Sequence, residues 1–275
     1  MNARTAAVLL SSCLAVGCAS IGNVQMADTL GKGHVQVGVE PGLQALTTMG
    51  TGTTGTTPIY YPHIDASVRF GVTDFIDLGV RGGWSFLEAQ GKFLFTKPGD
   101  RHIAVSLAPT VGGMAIGLGG SSGAAIGLMN IGVPVLIGIK IPGGSEFVIG
   151  PRMQNLVAFA GASGAGGGTL YFLSGGGSLG FAWRITDTFA IMPEAAVVFP
   201  IFASGATTST LGNTVPGLGT FVFQFKIGLL IGRMRDLPPP EDLELQQLSN
   251  PPLPPPTPAP EPPPGPVPPP PPPPP

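Results

Sequence analysis

Thr220-Phe221-Val222-Phe223-Gln224-Phe225-Lys226-Ile227-Gly228-Leu229-Leu230-Ile231 decides the fold. Phe221, Phe223, Phe225, Ile227, Leu229 and Ile231 occupy one register, and Thr220, Gln224, Lys226 and Gly228 the other. A strand turns successive side chains to opposite faces, so a period of two marks a sheet with one apolar and one polar face. The same alternation recurs upstream. Val35, Val37 and Val39 alternate with His34, Gln36 and Glu40, and Ile76, Leu78 and Val80 with Asp77, Gly79 and Arg81. Ile64, Ala66, Val68, Phe70 and Val72 alternate with His63, Asp65, Ser67, Arg69 and Gly71.

Ten segments follow this pattern: 33–43, 62–72, 76–84, 87–96, 102–114, 125–141, 146–158, 169–185, 189–202 and 219–233. Their connections alternate in length. Thr73-Asp74-Phe75, Thr96 to Arg101, Pro142 to Ser145 and Thr186-Asp187-Thr188 are short. Residues 44–61, 115–124, 159–168 and 203–218 form longer links, rich in Gly, Thr and Ser. An even strand count, with short turns at one end and longer loops at the other, predicts an all-β, up-and-down antiparallel transmembrane β-barrel. About 10 strands are expected, within a range of 8–12. Tyr60, Tyr61, Trp84, Tyr171 and Trp183 fall near strand ends, where interfacial aromatic girdles sit.

The charges say which face is wet. Glu40, Asp65, Arg69, Asp77, Arg81, Glu88, Lys92, Lys140, Glu146, Arg152, Arg184, Glu194 and Lys226 all lie on the register opposite the stronger apolar set. A charge facing lipid at mid-bilayer costs about 2–4 kcal/mol. These side chains are therefore expected to form a lumen charge network. Diagonal pairs Arg69–Asp77 and Asp65–Arg81 are expected across the 73–75 turn, and Lys140–Glu146 across the 142–145 turn. A barrel this narrow can be filled by its own side chains, so the lumen should be plugged.

Residues 33–235, with the hairpin Phe70-Gly71-Val72-Thr73-Asp74-Phe75-Ile76-Asp77-Leu78-Gly79-Val80-Arg81 at their centre, resemble a small bacterial outer-membrane β-barrel protein. The resemblance implies an outer-membrane location and names no activity. Barrels of this kind often end on an aromatic residue that the assembly machinery reads. This chain departs from that pattern and runs on through Arg233 and Arg235 into prolines.

The N-terminus reads as an address. Arg4 is followed by an apolar stretch from Ala6 to Val16, too short for a permanent span. Leu14-Ala15-Val16-Gly17-Cys18 resembles a bacterial lipoprotein signal. It implies removal of residues 1–17 and acylation of Cys18, with outer-membrane lipid as a partner. Leu10-Ser11-Ser12-Cys13 fits more loosely, and an ordinary secretory cut near Ala19 or Ser20 is the alternative. The absence of Asp after Cys18 implies sorting to the outer membrane. Residues 18–32 then form a linker to the barrel. With an even strand count, both termini are expected in the periplasm.

At the other end, 22 of the 33 prolines fall between Pro238 and Pro275. Residues 236–275 are expected to be a disordered, Pro-rich tail. As polyproline II at about 3.1 Å per residue, residues 238–275 would reach on the order of 120 Å. Such a tail can space or dock a periplasmic or cell-wall partner, or be a low-complexity end without one.

Composition excludes several classes. Charged residues make up 10% of the chain, against about 25% in soluble domains, which argues against a lipocalin-like soluble carrier. The 43 glycines and the prolines Pro109 and Pro134 in the uncharged stretch Ile103–Ile139 argue against a helical membrane protein. A net charge of −2 without a basic run excludes nucleic-acid binding. Cys13 and Cys18 are the only cysteines, which leaves no disulfide framework. The glycine-rich Gly175–Gly180 leads into a strand, so its match to a dinucleotide fingerprint lacks the required helix. His34, His63 and His102 do not converge on a metal site, and no cofactor is implied. His63, Asp65 and Ser67 share one strand face and read as lumen residues rather than a relay. No catalytic residue is assigned and the chain reads as a non-enzyme. The function expected is a lipid-anchored structural platform of the envelope, with a narrow solute channel, a soluble carrier and a lipid-modifying enzyme as alternatives.

Overall fold

The computed structural model describes residues 20–48, 59–83, 86–118, 124–162, 166–207 and 220–235. The chain divides into two compact units, Met1–Pro238 and Pro239–Pro275, and every described residue belongs to the first. The expected signal sequence with Cys18, Trp84 and the Pro-rich stretch 236–275 lie outside the described residues.

Twelve strands follow one another: β1 (Val35–Thr48), β2 (Ile59–Gly71), β3 (Ile76–Gly82), β4 (Phe86–Leu94), β5 (Ile103–Leu107), β6 (Thr110–Leu118), β7 (Ala124–Lys140), β8 (Glu146–Ile149), β9 (Arg152–Ala162), β10 (Gly166–Thr186), β11 (Phe189–Thr207) and β12 (Thr220–Gly232). β5 and β6 are one wall strand interrupted at Ala108-Pro109, and β8 and β9 one interrupted at Gly150-Pro151. A proline has no N–H to donate to the ladder, yet its carbonyl still accepts. Gly91 N donates to Pro109 O and Val135 N to Pro151 O, both at 2.9 Å. The wall therefore has ten strands. β12 pairs antiparallel with both β11 and β1, which closes the barrel and leaves no open sheet edge among the described residues.

The ladder continues beyond the alternating segments into the expected loops. β1 runs to Thr48, β2 starts at Ile59, and β10 and β11 still pair at Gly168–Thr207. Strand pairing needs only backbone groups, whereas the apolar register is required only where lipid touches the wall. Gly- and Thr-rich strand ends hide the ladder from a hydrophobicity pattern.

The outer face is apolar. Phe223, Phe225, Ile227 and Ile231 are exposed, while Gln224 and Lys226 between them are buried. Ile64, Val68, Phe70, Leu78 and Val80 repeat the arrangement on β2 and β3. Tyr60, Tyr171 and Trp183 are exposed near strand ends. All thirteen strand charges point inward, eleven of them buried and Lys140 and Arg184 half-buried. A soluble carrier would show the reverse polarity. Among the described residues no helix is long and apolar enough to cross a membrane. Phe225→Arg, which turns a charge to lipid on β12, should cost about 2–4 kcal/mol. The folded, heat-modifiable fraction in outer membranes should drop; an unchanged fraction would reverse the polarity.

One part of the sequence reading is corrected. Residues 18–32 were expected to be a linker, but Ser20 to Leu30 run inside the barrel with Met26 alone half-buried and the rest buried. Leu30 and Thr29 meet Asp77 and Asp74 at the turn end. Ser20 and Gly22 meet Gln224 and Arg81 toward the loop end. The described chain therefore does not begin at the turn end, where the mature N-terminus was expected. The segment's Ser, Asn, Gln, Asp and Thr residues give it no period of its own, so no alternation announces it.

Candidate functional site

The lumen is built as a receptor for this inner segment. At the turn end, Leu30 N donates to both carboxylate oxygens of Asp77 at 3.1 Å. Lys92 Nζ donates to Asp28 O at 3.0 Å and stands 3.4 Å from Asp77. Lys140 pairs with the Asp28 carboxylate. Further in, Ala27 N donates to Glu146 Oε1 at 2.7 Å. Arg69 donates through Nη1 to Gln25 Oε1 at 2.9 Å and through Nη2 to Val24 O at 2.8 Å. Asn23 N donates to Glu194 Oε1 at 3.3 Å, and Gly22 N to Gln224 Oε1. Arg81 donates to Gly22 O and, at 3.3 Å, to Ser20 O. An inserted chain outside regular structure has backbone groups that must find partners when buried; the wall's charges supply many of them.

Other wall charges pair with one another. Lys226 Nζ lies 2.9 Å from Glu40 Oε2 and 2.5 Å from Asp65 Oδ2, with none of its side chain exposed. Arg81 pairs with Glu88 at 2.9 Å and reaches Glu40 at 3.8 Å. Arg152 donates to Ser178 Oγ at 3.0 Å and pairs with Glu194 at 3.5 Å. The expected diagonals are thus replaced. Arg69 turns to the inner segment rather than to Asp77, Asp65 pairs with Lys226 rather than Arg81, and Lys140 takes Asp28 although Glu146 is its ladder partner. The inner chain competes successfully because it brings buried carbonyls, amides and one carboxylate. Arg184 stands apart from this network, 2.9 Å from Asp187 and 3.1 Å from Arg235 O.

Apolar contacts complete the seal. Val24 and Ala27 belong to a core inside the barrel with Leu136, Val148, Met192 and Leu230. Ile21 packs with Ala196, Val198 and Val222. Two inward glycines make room: a Cβ at Gly228 would stand 2.1 Å from Val24 Cγ1, and one at Gly138 would stand 2.9 Å from Ala27 Cβ. The turn-end mouth is latched by Arg235, which donates to Thr29 Oγ1 at 3.1 Å and Asp74 O at 2.9 Å. Among the described residues, cavities of about 20 Å³ lie beside Ser20 and Glu88, one of them also lined by Asn23, each large enough for about one water.

The histidines remain dispersed. His34 Nδ1 faces Leu30 O at 2.8 Å, His63 Nε2 faces Gln224 Nε2 at 2.9 Å, and His102 sits in the 95–102 turn. His63 lies 3.8 Å from Asp65, but Ser67 Oγ donates to Glu40 at 3.1 Å, so the three do not form a relay. Gly175–Gly180 lies within β10. Among the described residues, no group of three or more His, Cys, Asp or Glu could hold a metal. The inner segment was missed by sequence reasoning. The signal that could have exposed it is the glycine at inward positions such as Gly71 and Gly228, where a Cβ would run into Gly31, just past the inner segment, and Val24 within it.

A closed antiparallel barrel with an apolar exterior and an ionic interior is a transmembrane barrel of the bacterial outer-membrane class. No protein-family model matches the sequence. No curated protein matches it either. Solved structures with a similar fold include the attachment invasion locus protein Ail of Yersinia pestis, solved with the heparin analogue sucrose octasulfate: 8% identity, TM-score 0.41, covering 73% of this chain and 99% of that one. Neisserial surface protein A shares 12% identity at TM-score 0.37, covering 72% of this chain and 96% of its own. The outer-membrane protease OmpT of Escherichia coli shares 8% identity at TM-score 0.39, covering 76% and 99%. At these identities the likeness concerns the fold alone. It does correct one expectation. A protease stands among the barrels, so the reading of this chain as a non-enzyme is withdrawn; the likeness assigns it no activity.

Proposed function

We propose that the protein is an acyl-anchored, sealed barrel that serves as a platform in the outer membrane. Residues 236–275 would act as a periplasmic spacer toward an envelope partner. The filled lumen carries this reading. Ser20 to Leu30 occupy the space a solute would need, and cavities of about 20 Å³ are left beside them. Short turns face the periplasm in barrels of this class. Arg235, the last described residue, is bound at the turn end beside Asp74. A Pro-rich segment starting there would begin in the periplasm and keep an extended form. The lipoprotein-type signal at Leu14–Cys18 supports acylation. Deleting residues 238–275 should make cells leaky to large antibiotics and dyes while the barrel keeps its heat-modifiable migration. An envelope as tight as that of the parent strain would count against the spacer.

A further inference from the structure

We propose that the mature N-terminus leaves this barrel through its loop-side mouth, so that an acyl group on Cys18 anchors in the outer leaflet, at the cell surface. The acyl group itself rests on the lipidation reading above; the route of the chain does not.

The route follows from where the inner segment runs. Leu30 is tied to Asp77 and Thr29 to Asp74 at the turn end, whereas Ser20 and Gly22 are tied to Gln224 and Arg81 toward the loop end. From residue 20 to residue 30 the chain thus runs from the loop end down to the turn end, antiparallel to β1. One residue spans at most about 3.6 Å, so a group attached two residues before Ser20 would stay within about 7 Å of the Ser20 Cα. An acyl chain attached there could reach the inner leaflet only by drawing the segment back out. That would break the bonds to Arg69, Glu146 and Asp28 and empty the packing around Val24 and Ala27.

The loop side offers a nearer exit. The β3–β4 hairpin turns back between Gly82 and Phe86, while β2 beside it continues past its Ala66–Gly82 pair as far as Ile59. This is a short stretch of rim, and Ser20 lies against it. Arg81 of β3 donates to Ser20 O at 3.3 Å, and Phe86 and Glu88 of β4 line a cavity with Ser20. Lipid chains cannot stay in an ionic lumen of this width. Over the low hairpin they would meet the outer leaflet beside exposed Leu87.

The test uses the full chain in cells. An eight-residue epitope is inserted between Ala19 and Ser20, and a second variant carries it between Lys32 and Gly33. Both are probed with an impermeant antibody before and after the outer membrane is opened, and the N-terminal peptide is weighed by mass spectrometry. The first epitope should bind on intact cells at near its full level, and the second only after opening, at least tenfold above its intact signal. An acyl mass at Cys18 with the first epitope outside supports the whole proposal. An unmodified N-terminus with that epitope outside ends the lipidation reading and leaves the route standing. The first epitope reached only after opening overturns the route, whatever the mass at Cys18. If the insertion stops assembly, the single-residue Ala19→Cys variant, read with an impermeant maleimide, is scored the same way.

Discussion

Removing residues 22–30 should turn a silent barrel into a conducting one. In planar bilayers the intact chain should show no steady current, and the deletion variant a stable current well above baseline. The cause is the double role of the inner segment. It fills the lumen, and it is the partner of Arg69, Glu146 and Lys140. Without it these groups would hydrate, and the space around Val24 and Ala27 would fill with water. Gly228→Leu reaches the same end by a smaller change. A Cβ there would stand 2.1 Å from Val24 Cγ1 and something must shift, so this variant should flicker between closed and open. The deletion should also lower the temperature at which the barrel loses its compact gel migration. Equal currents from the intact and deleted chains would mean that the segment does not seal the lumen.

Lys226→Met should be the most damaging single exchange within the wall. Lys226 is fully buried and shared by Glu40 and Asp65, each about 1% exposed. Methionine keeps the length but leaves two buried carboxylates with one fewer cation; Arg81 at 3.8 Å from Glu40 remains. Breaking a buried ion pair by removing one partner costs roughly 3–5 kcal/mol. Urea unfolding in detergent should shift to lower concentration by a corresponding amount. The triple exchange Glu40→Gln, Asp65→Asn, Lys226→Met should recover most of that loss, because no charge is left unpaired at the site. A single variant as stable as the parent would show that water, rather than Lys226, compensates these carboxylates. Failure of the triple variant to recover would place the loss in packing instead of charge.

Much of the wall was legible because a two-sided sheet writes its two environments into alternate residues. Phe223, Phe225 and Ile227 against Gln224 and Lys226 carry that record, and the ten wall strands follow from it. The strand ends near Thr48, Ile59 and Thr207 were not legible, since pairing there rests on backbone groups that every residue possesses. The charges were placed on the correct face but given the wrong partners. Arg69 and Asp77 are diagonal neighbours in the ladder, yet each turns to the inner segment. Diagonal reach makes a pair feasible, and competition from a buried carbonyl or amide decides whether it forms.

By itself the sequence determined the polarity of the wall, because a charge against lipid costs more than any local preference could recover. It also determined the number of wall strands and the inward register of thirteen charges. Only the tertiary structure decided what those charges hold. Ser20 to Leu30 carry no period and no apolar stripe, so their place depends on partners between about 40 and 200 residues away, such as Glu146 for Ala27 and Gln224 for Gly22. An aperiodic segment with mixed polarity is stable only inside a cavity that satisfies it group by group, and that cavity exists only once β12 has closed on β1.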